Sequence, residues 1–168
     1  MKEVDWQKAA AEFEWDGSLR EIYVLGATLQ DWNKVLEFIR RLSPAATYFE
    51  DNVVVTMPHN VEHILEKRNQ GIGTRLDFMV SSFLLQSHFY VAPSESDIDF
   101  ILDPRELKNM DGLKRLVDFM EQLIILTKKR VVLTHEGTKD CRIIEGFAEA
   151  DQISWMTNTW LAQDKTEK

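Results

Sequence analysis

The sequence predicts an α+β fold: one mixed or antiparallel sheet with two main helices on one face. Three observations carry that expectation. Trp32, Val35, Leu36, Ile39 and Leu42 recur at steps of three and four, which lays them along one side of a helix. Leu113, Leu116, Val117, Met120, Leu123, Ile124 and Leu126 repeat the pattern over a wider arc. Other runs, such as Leu76, Phe78 and Val80 or Ile98, Phe100 and Leu102, alternate with period two, as half-buried strands do. At 168 residues the chain has the size of one domain. No Gly/Ser-rich linker divides it, so residues 1–168 are read as a single domain.

The elements follow in order. A short helix is expected over residues 4–12, where Ala9, Ala10 and Ala11 favour it. Asp16-Gly17-Ser18 signals a turn, and residues 21–25 follow as a β-branched and aromatic strand. Thr28, with Asp31 three residues on, makes a near capping box for the first long helix, and Ser43-Pro44 stops it. Residues 47–49 and 53–55 flank Glu50-Asp51-Asn52 as a hairpin. Residues 60–70 read as a helix with Gly71 at its C-terminal end.

The period-two phase of residues 76–91 slips at Ser81-Ser82, which means two strands or one bulged strand. The strand 97–102 ends at Asp103-Pro104. The second long helix covers about 111–127, and residues 131–133 and 142–144 are strands. Residues 153–161 close the fold as a helix or a docked strand. Strand, helix, strand, strand occurs twice, over 22–57 and 98–144, which points to two similar β-α-β-β halves sharing one sheet.

Twenty Lys and Arg against 28 Asp and Glu give a net charge of −8. That sign argues against a nucleic-acid or anionic-membrane footprint, since both need a local excess of Lys and Arg. It leaves a protein partner with a basic surface open. The lone Cys141 cannot form an internal disulfide. Residues 1–6 put acids and a Trp where a signal peptide needs a basic patch and an apolar run. Apolar stretches such as 123–126 fall far short of the ~20 residues that cross a bilayer. The expected location is cytoplasmic.

Two stretches could carry chemistry. His59-Asn60-Val61-Glu62-His63 resembles the inverted zincin pattern, which implies a metal held by His59 and His63 with Glu62 polarising water. Geometry decides: with Thr56 as N-cap the histidines share a helical face, with Asn60 as N-cap His59 lies outside the helix. Glu136 and Glu145 are the downstream residues considered as a third ligand.

In the second stretch, Ser96-Asp97-Ile98-Asp99 puts two carboxylates on one side of a strand. It is similar to the core of minimal nucleotidyltransferases. The resemblance implies Mg²⁺ shared between Asp97, Asp99 and a nucleotide, with Ser87 in the place of that family's Gly-Ser serine. Gln86 and Tyr90 stand where that family has glycines, and Val132 where it has a third carboxylate.

The remaining features read as structural. Cys141 and His135 flank a turn, but Asp140 beside the thiol disfavours a thiolate. Lys67-Arg68 and Lys128-Lys129-Arg130 end helices, where positive charge complements the dipole. Trp32 belongs to the core, while Trp6, Trp15, Trp155 and Trp160 lie near the termini, either packed together or exposed as interface anchors. The leading functional reading is a non-catalytic binding protein without a cofactor, with a homo-oligomer left open. In size, charge and single cysteine it looks like the small bacterial immunity or antitoxin-like proteins. A contiguous acidic patch centred on an exposed Trp or Tyr would favour that reading.

Overall fold

The computed structural model describes residues 4, 6–89, 97–107, 109–149 and 152–157. Its elements are α1 (Trp6–Ala11), β1 (Arg20–Val24), α2 (Leu29–Leu42), β2 (Thr47–Glu50), β3 (Val53–Val55), α3 (Val61–Asn69), β4 (Thr74–Val80) and β5 (Phe83–Ser87). Then come β6 (Ile98–Leu102), a short 3-10 helix (Pro104–Glu106), α4 (Met110–Thr127), β7 (Val131–His135), β8 (Arg142–Glu149) and β9 (Gln152–Thr157).

Local chemistry sets most boundaries. Thr28 Oγ1 accepts the Asp31 N–H, and Asp31 Oδ2 accepts the Thr28 N–H at 3.0 Å, so the capping box closes in both directions. At the end of α3, Gly71 takes φ +84°, which an L side chain adopts only under strain. Its N–H bonds Arg68 O and the Ile72 N–H bonds Lys67 O, the two bonds of a Schellman motif. The slip at Ser81-Ser82 is a two-residue hairpin turn, with Val80 opposite Phe83, so it separates two strands.

The nine strands form one sheet in the order β3-β2-β4-β5-β6-β1-β7-β8-β9, and every neighbouring pair is antiparallel. Helix α4 carries the chain from β6 to β7, which run the same way with the opposed β1 between them. The crossovers therefore join parallel strands without making parallel neighbours, and the sheet is antiparallel rather than mixed. The two β-α-β-β segments share their order of elements but not their surroundings. β7 lies directly beside β1, whereas the β4–β5 hairpin stands between β2 and β6. Residues 152–157 of the closing segment are a strand; residues 158–161, with Trp160, lie outside the described residues, as do Tyr90 and Val91.

The helices share one side of the sheet. α2 and α4 pack on each other, α4 reaches β1, β4, β7 and β8, and α2 and α3 reach β4. Beneath them Trp32 stacks near Phe89 at 5.0 Å, and Phe119 meets Phe78 and Phe100 at 5.9 and 5.6 Å. A bulge in β8 shifts the register between Leu133 and Thr134. Arg142 opposes Thr134 and Glu145 opposes Val132, so these two residues three apart share the open face, where Arg142 Nη1 meets Glu145 Oε2 at 2.8 Å.

Candidate functional site

The site is organised by one buried cation. Arg20 opens β1, opposite Leu102 at the end of β6 and His135 at the end of β7. Only 1% of it is exposed, and a guanidinium out of water needs its donors filled. Its donors take the carbonyls of Glu12 (2.6 and 2.9 Å), Ser18 (3.1 Å) and Leu19 (3.1 Å), and the Asp16 carboxylate at 3.2 and 3.3 Å. The polar segment 12–19 is thereby wound around Arg20. The Ser18 hydroxyl and N–H, together with Arg20, hold the Asp16 carboxyl well below the usual carboxylate range.

The same segment is pinned to the far end of β7. His135 Nε2 lies 2.9 Å from Glu12 Oε2, its Nδ1 lies 3.7 Å from Asp16 Oδ2, and Glu136 Oε2 accepts the Leu19 N–H at 3.0 Å. This winding turns Trp15 outward, 48% exposed. One face of its indole carries the Arg105 guanidinium at 4.0 Å, and Arg105 is in turn held by Asp103 at 2.7 Å. Glu14, Asp16, Asp103 and Glu136 edge the same end of the sheet. Adjoining them is a pocket of about 220 Å³, lined by Phe13, Glu14, Leu107, Met110 and Leu113 among others. An exposed indole and, next along the chain, an apolar hollow edged by Glu14 offer an anchor and a pocket of the kind found at interface hot spots.

The residues singled out by motif are placed otherwise. Asn60 is the N-cap of α3, its Oδ1 accepting the His63 N–H, so His59 lies outside the helix. His59, Glu62 and His63 line one open groove of about 560 Å³, but both Glu62 oxygens accept from Asn33 Nδ2. Glu136 belongs to the Trp15 end, and Glu145 is buried on β8, its carboxylate 2.7 Å from Arg130 and 2.8 Å from Arg142. Among the described residues no three His, Cys, Asp or Glu side chains gather closely enough to hold a metal ion.

Asp97 Oδ1 accepts the Gly26 N–H at 2.7 Å, and Oδ2 pairs with Lys139 at 2.8 Å. Asp99 faces Tyr23 on the open side of the sheet. Ser87 is on the opposite side, fully buried in register with Leu76, its Oγ accepting the Phe89 N–H at 3.4 Å. The sheet thus stands between Ser87 and Asp99. Cys141 is half-buried, and His135 is engaged by Glu12 and Asp16. Trp155 packs against Gly146 in the core, while Trp15 does not pack inward.

Sequence reasoning marked Trp15 as one of several candidate anchors and missed Arg20, Arg105 and the pocket residues. The available signal was an Arg opening a strand just after a Trp-Asp-Gly-Ser turn.

No known protein family matches the chain, and no curated protein does. One chain of a crystal structure of the toxic C-terminal tip of CdiA from Pseudomonas aeruginosa in complex with immune protein is similar at 16% identity. The match covers 76% of this chain and 94% of that one, with a TM-score of 0.46. A likeness of that degree fixes neither family nor function.

Proposed function

We propose that the protein is a non-catalytic binding protein, immunity- or antitoxin-like in kind, that meets a basic protein partner at the Trp15 end of its sheet. The observation that carries this reading is the half-exposed Trp15, with Arg105 on its indole, close along the chain to an apolar pocket that Phe13 and Glu14 line. Glu14 at the pocket and the net charge of −8 favour encounter with a basic surface, while the indole and the hollow supply the short-range affinity. Arg20 keeps the segment rigid beforehand, so little ordering cost falls on binding.

The test is co-expression with the product of the adjacent reading frame, followed by measurement of the complex. Wild type forms a complex whose association slows as salt rises. Trp15→Ala and Glu14→Lys each weaken it by about tenfold or more. A complex that neither variant weakens, or no complex at all, overturns the reading.

A further inference from the structure

A second hollow, away from the Trp15 end, carries two guanidiniums, one of them ion-paired with Asp77. It holds about 330 Å³ between the end of α3, β2 and its turn into β3, the start of β4, and His88 just past β5. Arg68, Thr74, Arg75, His88, Phe49 and Asn52 contribute to its lining. Two guanidiniums on one hollow are unexpected in a chain with net charge −8. The helix dipole accounts for a cation in the last turn of α3, but not for its meeting Arg75 and His88.

Both arginines are held in place. Arg75 Nε donates to Asp77 Oδ1 at 2.9 Å and its guanidinium lies 4.1 Å over the Phe49 ring, so one edge and one face of the fork are engaged. Arg68 Nη1 donates to the His88 carbonyl at 2.8 Å and approaches Thr74 Oγ1 at 3.5 Å. Asp51, the acid in the lining, accepts the Gly73 N–H at 2.8 Å. Burial first, then the nearby Arg75 and Arg68, lower the His88 pKa against the opposing pull of Asp77.

We propose that this hollow is a binding site for the phosphate group of a small phosphomonoester, gripped by Arg75 and Arg68. A planar fork already oriented by other contacts matches phosphate oxygens with little loss of freedom. A phosphate dianion answers two guanidiniums better than a single carboxylate does. The volume sits at the small end of ligand pockets and exceeds what a bare phosphate fills, leaving room beside Phe49 and Asn52 for a compact organic body.

The experiment is a ¹H–¹⁵N NMR titration of the full chain with inorganic phosphate, phenyl phosphate and acetate, each against sodium chloride at matched ionic strength. The expected result is saturable shifts at Gly73, Thr74 and Arg75 with both phosphates, tighter for phenyl phosphate, and a rise in the His88 pKa on binding. Arg75→Gln, checked for an unchanged melting temperature, weakens binding by about tenfold or more, and Arg75→Lys restores part of it. Three outcomes overturn the proposal: no saturation by about 50 mM phosphate, an equal response to acetate or chloride, or undiminished binding by Arg75→Gln.

Discussion

Tyr23 and Asp99 face each other across the central strand pair β1–β6, and Asp99 Oδ1 is buried there with no hydrogen-bond partner among the described residues. Burial is the main reason the Asp99 carboxyl is pushed up to about 6, with Glu21 adding to the rise and Lys139 and Arg68 opposing it. A carboxyl whose folded pKa lies above its unfolded value binds protons more tightly when folded. Stability therefore falls as pH rises from about 4 to about 6. Asp99→Asn removes that cost. Chemical denaturation is expected to show a gain of about 1–3 kcal/mol at pH 7 that disappears by about pH 4. A gain independent of pH would contradict this origin.

Arg20 is the residue on which segment 12–19 depends. Arg20→Met removes the guanidinium that fills the carbonyls of Glu12, Ser18 and Leu19, and leaves Asp16 with the Ser18 N–H and hydroxyl alone among its described side-chain and turn donors. The expected loss is about 2–4 kcal/mol, from the carbonyls left unfilled rather than from Asp16, which is half in solvent. Arg20→Lys recovers only part of it, because one ammonium cannot reach all the acceptors that the fork spans. Hydrogen exchange at residues 12–19 should rise in both variants.

Gly146 is required by close approach rather than by backbone freedom. A Cβ there would stand 2.5 Å from the Trp155 ring and 2.7 Å from Ile124 Cδ1. These neighbours belong to β9 and α4, both packed into the core. Gly146→Ala is expected to destabilise by about 1–3 kcal/mol through overpacking, read as a lower denaturation midpoint with an unchanged denaturant slope.

Trp15 has the reverse profile. Its indole is half in solvent and its described ring contact is with Arg105. Trp15→Ala should therefore cost no more than about 1 kcal/mol of stability. Partner binding, not folding, is where the variant's deficit should appear, and a large fall in melting temperature would make Trp15 a structural residue.

Much of the local architecture was readable from residues close together in the chain. The Thr28–Asp31 capping box, the Ser43-Pro44 stop, Gly71 beyond α3 and the alternation of β6 all follow from interactions spanning a few residues. The slip at Ser81-Ser82 could not be resolved that way. A bulge and a two-residue turn leave the same break in period, and only the pairing of Val80 with Phe83 separates them. The motif at His59–His63 turned on one capping choice, and Asn60 made it.

The sequence by itself determined the two long helices, most of the strands and the acidic balance, because periodicity, capping and turn chemistry act over short stretches of chain. Only the tertiary structure decided that β1 separates β6 from β7, that Ser87 and Asp99 lie on opposite sides of the sheet, and that Glu12 meets His135 across 123 positions. Those outcomes depend on strand order and register. These are set by the burial of distant apolar faces against one another, and in a period-two strand one step of register exchanges the two sides.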